Sequence, residues 1–339
     1  LSPRLPLLSH KPPWRDPALV SIQACPAAYE KPPMSPIPTE HFFVQGPDGQ
    51  LAVQRWGDRS RPVIVLVHGY PDNRHKWDEV ALLLSRRFQV VAYDVRGAGA
   101  SFRPTRKQDY QLARLTADFT AVINAVSPGQ PVHLVAHDWG SVQSWEFVSE
   151  PLLKGRIASY TSCSGPCLDH MGHWIREQLR RPTPSNLLRL TLQLFKSWYV
   201  YLFHLPVVPE LMWRHLTGPN WPRLMRWLEG VQIQPRPTQA EDGANGVNLY
   251  RANVLPCLIR PRERVAHAPV QVIVPLRDHF VSPALSENLH RWAPGYVRRE
   301  IDAGHWITVQ KPKLFADAVL AFIDQLPAAP TMPLRAARA

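Results

Sequence analysis

The segment HLVAHDWGSVQ, residues 133–143, reads as an apolar strand, a turn of small residues and the start of a helix. A side chain at the tip of such a turn stands clear of its neighbours. Asp138 takes the tip, with Ala136 and Gly140 two places to either side. Small residues are needed there, because larger ones would collide across the bend. The N-terminus of the following helix favours negative charge at that point. A carboxylate, with a reference pKa of about 3.9, is ionised at neutral pH and needs no base before it attacks. It is a mild nucleophile, suited to displacement at an sp3 carbon bearing a strained or good leaving group, and the product is an alkyl ester on Asp138. Two later segments carry further titratable groups, VPLRDHF with Asp278 and DAGHW with His305. In HGYP, residues 68–71, a glycine lets the backbone turn sharply and point a peptide N–H into a cleft. Singly, Asp138 reads as a helix cap and His305 as a structural residue. Their order, each after an apolar strand, points to chemistry.

The elements that must position these residues follow an alternating rhythm. HFFVQ and LAVQRW flank the turn GPDGQ and read as a hairpin. Apolar strands follow at 62–69, 88–94, 131–137, 156–163, 269–276 and 296–301, and helical spacing at 77–88, 112–126, 140–151, 283–292 and 312–326. Such alternation predicts an α/β chain with a mostly parallel sheet covered on both faces, and functional loops beyond the carboxyl ends of the strands. Residues 166–265 break the rhythm: rich in Trp, Pro and Leu, helical where periodic, and without a convincing strand. The expected organisation is a core of 39–165 and 266–327, a helical lid of 166–265 between strands 6 and 7, and a C-terminal tail of 328–339. Residues 1–38 contain 10 prolines and no hydrophobic period, and are expected to be a disordered extension. Met34, just before the first strand, is the expected natural start.

The chain resembles the α/β-hydrolase fold family, in its aspartate-nucleophile branch of epoxide hydrolases and haloalkane dehalogenases. HGYPDN, YDVRGAGAS, VAHDWGS, the acid in PLRDHF and the histidine in DAGHW carry the likeness, which spans about residues 41–326. RGAGAS lacks the third glycine of a dinucleotide loop, and in this family it is a structural turn. The order nucleophile, acid, histidine is that of the family's triad. The resemblance implies that Asp138 forms an alkyl ester, and that water activated by His305, itself oriented by Asp278, hydrolyses it. The N–H groups of Tyr70 and Trp139 would hold the oxyanion.

Epoxide and alkyl halide both fit this chemistry. Epoxide hydrolases supply a proton to the opening ring from two lid tyrosines, and the resemblance assigns these to Tyr201 in SWYVYLFHLPVVPE and Tyr250 in GVNLYRAN. Leu187, Leu190, Leu194, Trp198 and Tyr201 also recur as one helix face, which by itself predicts packing. On that phase Tyr199 points nearly opposite and is the lesser donor. Trp139 serves as halide donor in dehalogenases but also occurs in epoxide hydrolases. Tyr70 stands where many dehalogenases carry a polar residue. Epoxide hydrolysis is therefore the expected reaction, with dehalogenation as the alternative and non-catalytic binding of a small ligand as a third reading. The resemblance implies no cofactor and no metal. The expected partners are a small apolar epoxide and water, with a homodimer left open. Some relatives carry a fused short-chain dehydrogenase, and none is expected within these 339 residues.

Composition bounds the rest. Hydrophobic content of 45% supports a large core, and no apolar run reaches the roughly 18 residues of a membrane span. A soluble, cytoplasmic chain is expected. The charge of +12, from 39 basic against 27 acidic residues, is scattered and reads as a solvated surface, not a nucleic-acid groove. Four cysteines, Cys25, Cys163, Cys167 and Cys257, form no disulfide framework, and no second ligand pair makes Cys163 and Cys167 a metal site.

Overall fold

Eight strands form one sheet in the computed structural model, which describes residues 39–327. They are β1 (Thr39–Gln45), β2 (Gln50–Trp56), β3 (Val63–Val67), β4 (Gln89–Tyr93), β5 (Val132–His137), β6 (Ile157–Cys163), β7 (Val270–Pro275) and β8 (Val297–Ile301). The order across the sheet is β1-β2-β4-β3-β5-β6-β7-β8. β1 and β2 pair antiparallel, as does β2 with β4, and every other pair is parallel. The sequence dictates this arrangement. β3 (VIVLV) and β4 (QVVAY) are buried at every position, as strands covered on both faces must be.

The helices, in chain order, are α1 (Asp78–Leu84), α2 (Leu112–Val126), α3 (Trp139–Ser149), α4 (Leu168–Arg180), α5 (Pro184–Lys196), α6 (Trp198–Phe203), α7 (Val208–Met212), α8 (Gly218–Glu229), α9 (Gln239–Ile259), α10 (Ile307–Gln310) and α11 (Pro312–Asp324). On one face Trp77, just before α1, and Val80 within it meet Phe315 and Val319 of α11 over Ile64 and Val90. On the other, α2 and α3 pack through the stacked rings of Phe119 and Phe147, 4.4 Å apart. Helices α4 to α9 all fall between β6 and β7, the interval expected to be helical.

The helix expected at 283–292 is a single 3-10 turn, Pro283–Ser286. Leu285, Leu289 and Trp292 are buried as their spacing suggested, but separate turns such as Trp292 N–H to Leu289 C=O (2.8 Å) bury them without a continuous ladder. The extension, the tail and the start at Met34 lie outside the described residues. Cys163, Cys167 and Cys257 are buried free thiols. No helix among the described residues is long and apolar enough to cross a membrane.

Candidate active site

The carboxyl ends of β3, β5, β7 and β8 bring four loops to one edge of the sheet. Asp138 closes β5 at φ 55°, ψ −127°, a left-handed setting unusual for a residue with a side chain. The bend holds because its neighbours are small. A Cβ on Gly140 would lie 2.1 Å from the Val67 carbonyl, and one on Gly69 would lie 2.2 Å from Asp138 Oδ1 and 2.6 Å from the Trp139 nitrogen. That close approach lets the Tyr70 N–H donate to Asp138 Oδ1 at 2.5 Å, and the Trp139 nitrogen borders the same space. Ser141 is not free to act as a nucleophile: its hydroxyl donates to the Cys163 carbonyl (3.1 Å) and accepts from the Cys163 N–H (2.9 Å).

His305, between β8 and α10, places Nδ1 2.9 Å from Asp278 Oδ2 and Nε2 3.5 Å from Asp138 Oδ2. Asp278 also accepts from the N–H groups of Phe280 (2.7 Å) and Val281 (2.9 Å). Burial would raise the Asp278 pKa, but the charge of His305 and these donors bring it below the ordinary carboxylate value. Burial pulls His305 the other way, yet the Asp278 and Asp138 carboxylates outweigh it and push its pKa up to about 10. Between these two carboxylates His305 is held as an imidazolium at neutral pH.

Behind His305 lies a network that sequence reasoning missed. Lys76 Nζ, fully buried, donates to Asp72 Oδ2 (2.9 Å) and His137 Nδ1 (2.6 Å). With Nδ1 accepting, His137 donates through Nε2–H to the His305 carbonyl at 2.7 Å. Burial, reinforced by the Lys76 charge, lowers the His137 pKa far below its ordinary value, so the ring stays neutral. Asp72 also accepts from the Trp306 indole N–H at 2.9 Å. The His305 carbonyl and the Trp306 indole are thus tied to the segment after β3. The available signal was the Asp72–Lys76 spacing of four.

The insertion contributes the remaining groups. Tyr250 of α9 is buried, its ring 4.7 Å from that of Trp139. Tyr199 of α6 meets Tyr250 edge-on at 5.8 Å between centroids, and the two hydroxyls interact. Burial and the nearby Asp138 charge raise the pKa of both tyrosines, so both remain protonated donors. Tyr201 does not hold the place expected for it. It is 59% exposed at the rim of the cavity. The physical reason is a break at Ser197, where α5 ends and α6 begins in a new phase. The face extrapolated from Leu187 to Tyr201 is therefore not one buried face. Only Leu190 of that series is buried.

Asp138 sits where two apolar chambers meet. One, of about 290 Å³, is lined by Met171, Trp174, Leu194 and Leu258; the other, of about 320 Å³, by Tyr70, Trp213, Leu228 and His305. Tyr199 and Tyr250 border both.

Known proteins share this fold. Residues 62–312 match the family model described as alpha/beta hydrolase fold. A protein of Mycobacterium tuberculosis named probable oxidoreductase EphD is 39% identical over 290 residues, 83% of this chain and 49% of that protein, so this chain spans about half its length. Epoxide hydrolase 3 of Xenopus tropicalis is 28% identical, over 79% of this chain and 73% of its own. An epoxide hydrolase from Bacillus megaterium, crystallised with its diol product, superposes with a TM-score of 0.70 at 20% identity, covering 84% of this chain and all of that one. With the strand order, the elbow at Asp138 and a family match over most of its length, the chain belongs to the α/β-hydrolase fold family.

Proposed function

We propose that this chain hydrolyses an epoxide to a vicinal diol through an ester on Asp138. A carboxylate oxygen attacks an epoxide carbon, the ring C–O bond breaks, and the departing oxygen takes a proton from Tyr199 or Tyr250. The observation that carries the reading is this pair of hydroxyls, brought by two insertion helices to the cavity bordered by Asp138. An opening epoxide needs such a donor, whereas a departing halide needs only weak N–H groups.

Esterification removes the charge of Asp138, one of the interactions that raise the His305 pKa. Its imidazolium then releases a proton, which makes good the one given by the tyrosine. Water attacks the ester carbonyl and passes a proton to His305 Nε2, while the Tyr70 and Trp139 N–H groups hold the oxyanion. Collapse expels the diol as its alkoxide, which takes the proton of the new carboxylic acid. Asp138 is again ionised and His305 protonated. The meeting of two apolar chambers at Asp138 favours an epoxide carrying an apolar substituent on each side.

The test is to trap the ester in His305→Gln and weigh it. An epoxide adds its full mass to Asp138, and a haloalkane adds its mass less hydrogen halide. An adduct from haloalkanes alone would establish the dehalogenase reading. An adduct on Ser141, or none from a broad panel of both substrates, would sink the mechanism.

A further inference from the structure

Helix α5 is built inside out. Its inward contacts are largely polar: Gln193 donates to the Phe280 carbonyl (3.2 Å) and accepts from the Ser282 N–H (3.0 Å), and Lys196 donates to the Asp278 carbonyl (2.7 Å). Leu188, Leu192 and Phe195, one stripe at spacings of four and three, face outward at 59, 52 and 73% exposure. The outward apolar surface continues through Trp198 and recurs at Trp227 of α8, 79% exposed. Of the 22 large hydrophobic residues exposed among the described residues, 16 fall between 168 and 260, so the surface belongs to the insertion and not to the fold at large. Contiguous apolar surface of this kind marks an interaction site.

Charge and cavity identify what covers it. Residues 168–260 carry eleven Lys and Arg against six Asp and Glu. Arg180 and Arg181 lead into α5, and Arg223 and Arg226 precede Trp227; all four are exposed. Two such basic faces would repel each other, which disfavours a second copy of the chain. Apolar side chains flanked by Arg and Lys are instead the composition of a helix lying in the headgroup region of an anionic lipid layer. The chambers also open within this surface: exposed Leu194 and Tyr201 line one, and exposed Trp198 and Trp227 the other.

We propose that the outward face of α5 and α6, with Trp227, docks on an anionic lipid–water interface, so that apolar substrate enters the chambers above Asp138 from the lipid phase. Docking stands independently of the reaction; delivery of substrate rests on the hydrolase reading. The experiment is co-sedimentation of the full chain with sucrose-loaded vesicles, of phosphatidylcholine alone or equimolar with phosphatidylglycerol. Binding to the anionic vesicles is expected, weaker on phosphatidylcholine and at high salt. The substitution Leu188→Ser with Leu192→Ser and Phe195→Ser is expected to weaken it about tenfold or more. These three side chains line neither chamber, so this variant should keep its thermal midpoint and its rate on a short, water-soluble epoxide. Absence of binding to anionic vesicles, or equal binding by the variant, would overturn the proposal. So would a dimer in sedimentation velocity that the same substitutions dissolve. Docking without turnover of any epoxide would overturn the hydrolase reading and leave docking in place.

Discussion

Tyr199 and Tyr201 differ by two positions, and the difference separates a ring that borders both chambers from one exposed at the rim of one. Tyr199 and Tyr250 border both chambers with Asp138, while Tyr201 stands exposed at the rim. If the two inner hydroxyls protonate the opening ring, replacing both with Phe removes the acid from the first step and leaves the second intact. Tyr199→Phe with Tyr250→Phe should slow ester formation by about 10²–10⁴-fold, the range of a general acid. Tyr201→Phe should change it by less than about twofold, as a surface substitution away from the reacting atoms would. Rapid-quench mass spectrometry of Asp138 with a reactive epoxide measures this step directly. A loss in Tyr201→Phe matching that of the double variant would return the donor role to Tyr201.

Much of this architecture was legible at the scale of elements. Runs such as VIVLV and VQVIVP carry their own strand signal, and the Asp138 elbow follows from small residues at 136 and 140. Helix phase across a break was not legible. Trp198, four after Leu194, continues the apolar period, so nothing in the pattern announces that α5 stops at Ser197. Periodicity also registers apolarity and not its direction, which is why the series from Leu187 to Tyr201 predicts packing although only Leu190 of it is buried. The tie between the segment after β3, the end of β5 and the His305 loop was hidden for another reason: its partners, Asp72, Lys76, His137 and Trp306, are far apart in the chain. The tie predicts its own energetics. Lys76→Met leaves the buried Asp72 with the Trp306 indole N–H at 2.9 Å and, as its cation among the described residues, Arg236 at 3.5 Å. Losing one partner of a buried pair costs about 3–5 kcal/mol, and the remaining arginine places this case near the lower end. Asp72→Asn with Lys76→Met should recover much of the loss, since no buried carboxylate is then short of a cation and Arg236, which loses its partner, keeps access to water. Urea denaturation of the three variants forms the cycle; a double variant less stable than Lys76→Met would exclude the ion pair as the cause.

At the scale of the whole molecule, the buried titratable groups shape stability against pH with opposite signs. Asp278 has a depressed pKa, so its contribution is present above the ordinary carboxylate value and lost as pH falls through the folded one. His305 has a raised pKa, so its contribution is complete below its unfolded value of about 6.5 and disappears as pH climbs through about 10. Asp242 of α9 opposes both. Burial raises its pKa to about 6 despite bonds from Thr238, Gly99 and Asn73, with Asp94 adding repulsion. A carboxyl held above its unfolded value costs stability once ionised, so its penalty develops as pH rises from about 4 and is complete above about 6. Asp242→Asn cannot incur it. The thermal midpoint of that variant, relative to the parent chain, should therefore improve as pH is raised from about 4 to about 7, and then run parallel to it. Over the alkaline range the parent should lose stability on the order of a few kcal/mol through His305, and His305→Gln should flatten that decline although it starts lower, with Asp278 left unpaired. Calorimetric scans of the three chains across this range separate the two groups, because their windows barely overlap. Parallel midpoints for Asp242→Asn and the parent between about pH 4 and 7 would show that α9 does not strain this carboxyl.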